Sequence, residues 1–64
     1  MNKFNIEENV MVTKDVEVSP LNFVRQGLVG TIIDETVPNY YLIKTERNGC
    51  YWIDGEYLIK LKEI

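Results

Sequence analysis

Asn48-Gly49, set between YYLIKT and CYWI, constrains this chain more than any other feature. The pair supplies the left-handed backbone that a tight antiparallel turn requires, so residues 40–45 and 50–53 are expected to fold back on each other as a β-hairpin. The rest of the sequence has the same texture. β-branched and aromatic residues come in short runs bounded by turn residues, and no segment is long and periodic enough for an α-helix. NVMVTKDVEV alternates from Val10 and Val12 and breaks toward a loop at Asp15. SPLNFVRQG reads as irregular, and LVGTIIDE as a strand in which Gly30 marks a bend or a close backbone approach. TVPN is a turn, residues 54–57 a single 3₁₀ turn, and LIKLKE the last strand.

A chain of 64 residues is one domain, with residues 1–8 expected as a flexible lead-in. At this length only about 60% of the unfolded surface is buried, and a core alone leaves roughly 3–5 kcal/mol of net stability. Cys50 is the only cysteine and histidine is absent, so neither an internal disulfide nor a zinc site is available, and no metal or cofactor is expected. A closed sheet or self-association remains as the stabilising device. Five short strands therefore suggest an all-β fold, a five-stranded, partly open barrel, which removes sheet edges without needing length. The tight turn between the third and fourth strands argues against an OB-fold, which places a helix there.

Alternation sorts the aromatic residues. Five of them fall between positions 40 and 57. With Tyr41, Ile43 and Ile53 inward, Tyr40, Leu42, Lys44, Cys50 and Trp52 point outward, and Tyr57 rises beside them from the 3₁₀ turn. Tyrosine and tryptophan combine apolar area with a polar handle, which is why they dominate binding hot spots. Tyr40, Trp52 and Tyr57 are therefore the candidate partner-binding residues, set against a reading in which they are covered structure or a homodimer contact.

Enzymatic chemistry is not expected. There is no histidine, Gly-rich phosphate cradle or activated nucleophile, and a barrel this small is filled by its own side chains. Asp54 and Glu56 read as turn chemistry, Cys50 as an inert thiol, and Arg25, Lys44 and Arg47 as ordinary surface. The unpaired cysteine and the absence of a basic, apolar leader in MNKFNIEENV fit a cytoplasmic protein, and no run is long enough to span a bilayer. The net charge of −3 disfavours a nucleic-acid partner.

The segment from Gly27 to about Leu61 resembles the second half of an SH3 domain. TIIDETVPNYYLIKT is similar to that family's strand, loop and paired-aromatic strand start, with Tyr40-Tyr41 in place of a Trp-Trp pair. GCYWIDGEYLIKL resembles its Gly-Tyr-Ile-Pro-Ser-Asn-Tyr-Val segment, with Trp52, Ile53, Asp54 and Tyr57 at the tyrosine, isoleucine, proline and final tyrosine positions. The resemblance implies an SH3-like barrel with Tyr40, Trp52, Asp54 and Tyr57 on a peptide groove. It also implies that Asp15 and Glu17 lie in the acidic loop that meets a basic ligand residue. The family's Ala-Leu-Tyr-Asp-Tyr opening is absent, and Asp54 replaces the ligand-pocket proline.

Compact SH3-like proteins of bacteria and their phages are similar in their Tyr-rich third strand, tight hairpin and acidic turn. This implies a non-catalytic protein-binding module, a phage or mobile-element accessory that modulates a host protein. GLVGTIID also resembles the start of a KOW-type barrel, which implies instead a nucleic-acid or ribosome-associated role. Such a binder should gather Lys14, Arg25, Lys44, Lys60 and Lys62 on one face, with Lys44, Lys60 and Lys62 alternating outward.

Overall fold

The computed structural model describes residues 3–46 and 49–63. Those residues form seven strands: β1 (Asn9–Val12), β2 (Val16–Ser19), β3 (Asn22–Val24), β4 (Val29–Thr36), β5 (Tyr40–Thr45), β6 (Gly49–Asp54) and β7 (Leu58–Lys60). Two 3₁₀ turns, η1 (Gly55–Tyr57) and η2 (Leu61–Glu63), flank β7. The fold is all-β, as the alternation requires.

The strands make two separate antiparallel sheets, one of five strands in the order β6-β5-β4-β1-β7 and one of two, β2-β3. This corrects the expected single five-stranded barrel, because the sheets are not closed onto each other. Val16 to Ser19 satisfy their backbone by pairing with Asn22 to Val24, through a turn at Pro20-Leu21, rather than by bridging the ends of the larger sheet. The segment read as irregular thus holds a strand, and NVMVTKDVEV is two strands rather than one. Asp15 marks the break: its Oδ1 accepts a hydrogen bond from the Gln26 N–H at 2.8 Å.

The last strand is shorter than expected for the same kind of reason. β7 pairs only with β1, through Leu58–Val12, Ile59–Met11 and Lys60–Val10. β1 begins at Asn9, and before it the backbone turns away at Glu7 with φ +74°. Past Lys60 the register leaves β1 after one more residue, Asn9, and residues 61–63 wind into η2, giving a second 3₁₀ turn where the sequence suggests one.

The core is Phe4, Val10, Val12, Val24, Ile32, Tyr41, Ile43, Ile53 and Leu58, with Val16, Val18, Leu28, Tyr51 and Tyr57 packed against it. Phe4 lies edge-on to the Tyr41 ring with centroids 5.2 Å apart, and the Lys3 N–H donates to Tyr41 Oη at 3.0 Å. Gly30 is the close approach that its place in a strand implies. An added Cβ would stand 2.9 Å from the Lys44 carbonyl oxygen. Gly49 holds φ +82° at the start of β6, and Asn48 lies outside the described residues.

Candidate functional site

β4, β5 and β6 together build one outward face. In β5 the alternation is as expected: Tyr41 and Ile43 are buried, Tyr40 and Lys44 are exposed, and Leu42 is half-buried. In β6 Ile53 is buried, Tyr51 packs against the core, and Cys50 and Trp52 are exposed. The register sets these outward residues side by side, Tyr40 opposite Asp54, Leu42 opposite Trp52 and Lys44 opposite Cys50. Across β4, Thr36 stands opposite Tyr40 and Asp34 opposite Leu42. An irregularity between Ile32 and Asp34 leaves Ile33 exposed at the same level. Tyr40 is 41% and Trp52 44% exposed, high values for large rings on a sheet surface.

Tyr57 has partners of its own. It sits at the end of η1, half-buried against the core, with Lys14 Nζ 4.4 Å from its ring centroid and its carbonyl accepting from the Thr13 N–H at 2.8 Å. Tyr40 and Trp52 therefore share the sheet face, while the Tyr57 ring is engaged at the turn between β1 and β2. Asp54 stands at the edge of the face as the cap of η1, its Oδ1 accepting from the Glu56 N–H at 2.9 Å.

The two acids expected in a ligand-facing loop have separate situations. Asp15 braces the base of the β2–β3 hairpin through Gln26, with Oδ2 3.5 Å from Arg25 Nη1. Glu17 is exposed on β2, directly across from Phe23.

The hairpin carries what the sequence reading overlooks. Leu21 is 96% exposed and adopts φ +72°, and Phe23 is 58% exposed. Beside the hairpin, Val18, Ser19 and Asn22 face Cys50, Tyr51 and Trp52 across a shallow cleft of about 360 Å³. The signal was the short alternation of VEV and FV around Pro20-Leu21, which two turn-forming residues and a nearby glycine obscured.

The described bases have different surroundings. Arg25 faces Asp15. Lys60 and Lys62 converge on Glu8, at 3.7 and 3.8 Å from Oε2. Lys60 shares its side of the sheet with the buried Val10, and Lys62 lies in η2 rather than on a strand, which corrects their expected outward alternation. Lys14 covers Tyr57, and Lys44 lies on the outward face of β5 opposite Cys50. Arg47 is outside the described residues. Among the described residues no cluster of His, Cys, Asp or Glu could hold a metal ion, and no helix is long and apolar enough to cross a membrane. No protein-family model, curated protein or solved structure matches this chain.

Proposed function

We propose that this chain is a non-catalytic protein-interaction module of SH3-like architecture, and that the outward face of β4, β5 and β6 is where its partner docks. The observation that carries this reading is the placement of Tyr40 and Trp52 as exposed diagonal neighbours on one sheet face, with Leu42 and Ile33 beside them. Soluble monomers seldom leave contiguous apolar surface of this kind without a use for it. The SH3-like assignment is supported by the strand order, by a hairpin inserted after the first strand and by a 3₁₀ turn before the last. An accessory role in a bacterium or phage, modulating a host protein, is the biological setting that the resemblance to compact SH3-like proteins suggests.

The nucleic-acid alternative is the weaker one, since phosphate binding draws on a shared patch of free bases and here Arg25, Lys60 and Lys62 face acids. The test is the double substitution Tyr40→Ala with Trp52→Ala. Both side chains stand outside the buried core, so the variant is expected to remain folded by circular dichroism and amide dispersion while losing capture of its partner. A variant that unfolds refutes the binding-face reading, because it makes the two rings structural. Binding to duplex DNA or RNA that weakens steeply with salt would favour the alternative.

A further inference from the structure

We propose that the partner on this face is a second copy of the chain, arranged about a two-fold axis so that the β2–β3 hairpin of each copy docks beside Trp52 of the other. The inference rests on the reading of the β4–β6 face as a binding surface and names its occupant.

The first observation is Leu21. A leucine at φ +72° occupies backbone space that glycine or asparagine normally fills, and it does so with 96% of its surface in water. No contact within the copy explains a strained, fully exposed apolar residue, and strain of this kind is retained where something outside uses it. Phe23, two residues on, is also exposed, so the hairpin presents an apolar projection. The receiving feature is adjacent: the cleft in which Val18 of the hairpin faces Tyr51 and Trp52 of β6. The hairpin that carries the projection also forms one wall of the recess, through Val18, Ser19 and Asn22, so each copy can supply both halves of a two-fold contact.

Charge supplies the register. Glu17 flanks Phe23 on the hairpin, and Lys44 flanks Cys50 and Trp52 on the receiving face. Among the described residues, Glu17 and Lys44 stand apart from the ion pairs, which join Arg25 to Asp15 and both Lys60 and Lys62 to Glu8. A two-fold contact brings Glu17 of each copy to Lys44 of the other, a reciprocal pair on a protein whose net charge of −3 otherwise opposes self-association. The open sheet points the same way. Without a disulfide, and with its two sheets left unclosed, self-association is the remaining device for a chain this small.

The experiment is sedimentation equilibrium of the intact chain from about 1 μM to 1 mM, with four variants alongside. The wild type is expected to dimerise in that range. Leu21→Gly, which relaxes the backbone and removes the projection, should stay folded and weaken the dimer about tenfold or more, as should Trp52→Ala. Glu17→Lys and Lys44→Glu should each weaken it, whereas an equimolar mixture of those two should dimerise about as tightly as the wild type, since both cross-copy pairs are then opposite in sign. Concentration-dependent protection of the Cys50 thiol from alkylation should follow the dimer. A wild type that remains monomeric up to 1 mM, a dimer indifferent to Leu21 and Trp52, or a mixture that fails to recover would each overturn the proposal. The separate loss of a captured partner in the Tyr40→Ala, Trp52→Ala variant would leave the binding face standing even then.

Discussion

An alanine at position 55 would place its Cβ 2.8 Å from Asn39 Oδ1 and 2.8 Å from Tyr41 Cε2. Both neighbours are held: Asn39 has its carbonyl on the Gly55 N–H at 2.7 Å and its Nδ2 3.5 Å from Asp54 Oδ1, and the Tyr41 ring is buried against Phe4. Gly55→Ala should therefore destabilise the protein by about 1–3 kcal/mol, as overpacking in a filled core does, read as a lower urea midpoint at unchanged slope. Leu21→Gly should act in the opposite direction. Glycine relieves a left-handed backbone that costs a leucine roughly 1–2 kcal/mol, while its greater freedom in the unfolded chain returns about 0.5–1 kcal/mol. Nothing buried is lost, so a net gain of up to about 1.5 kcal/mol is expected in urea melts at concentrations too low for association. A glycine at position 21 that lowers stability would mean that the leucine side chain holds the hairpin from within its own copy.

Among the elements, η1 is capped by one side chain. Asp54 adopts the extended conformation of a cap, with ψ at 132°, and its Oδ1 accepts from the Glu56 N–H while Asn39 Nδ2 approaches at 3.5 Å. Asp54→Ala removes the acceptor and should cost about 1 kcal/mol, whereas Asp54→Asn should cost less, both read from thermal or urea midpoints. This turn was legible in the sequence because DGEY carries its own signal, an acid followed by a glycine. The β5–β6 hairpin was legible for a similar reason: YYLIKT and CYWI alternate on either side of Asn48-Gly49. The β2–β3 hairpin was not, because its strands are four and three residues long and its turn uses leucine where the local rule calls for glycine or asparagine. The end of β7 was hidden for a different reason. LIKLKE alternates well enough to continue, and only the missing partner beyond Asn9 ends it, which is a tertiary fact. The candidate site divides along the same line: alternation alone placed Tyr40 and Trp52 outward, while the half-burial of Tyr57 beneath Lys14 depends on the course of the chain around Thr13 and Lys14.

At the scale of the molecule, the N-terminal segment decides whether so small a core suffices. Residue 4 lies far in sequence from the strands it serves, yet Phe4 is buried among them and meets Tyr41 edge to face. Lys3 ties the same segment down twice, its N–H to Tyr41 Oη and its Nζ to the Gly55 carbonyl at 3.1 Å. Phe4 is thus the link between the beginning of the chain and the β5–η1 corner that supports the binding face. Truncating a buried phenylalanine to alanine costs about 3–5 kcal/mol. A domain of this length has roughly that much in total. Phe4→Ala is therefore expected to leave a largely unfolded chain at 25 °C, seen as collapsed amide dispersion, rather than a weakened native state. Phe4→Leu keeps most of the volume, should lose about 1–2 kcal/mol, and should still show a cooperative urea transition. The pair separates two accounts of residues 3–8. If Phe4→Ala melts cooperatively within about 1 kcal/mol of the wild type, the segment is an appendage resting on a core complete without it. If it unfolds while Phe4→Leu survives, the N-terminal residues are part of the core, and a face carrying Tyr40 and Trp52 exists only because Phe4 closes the molecule behind it.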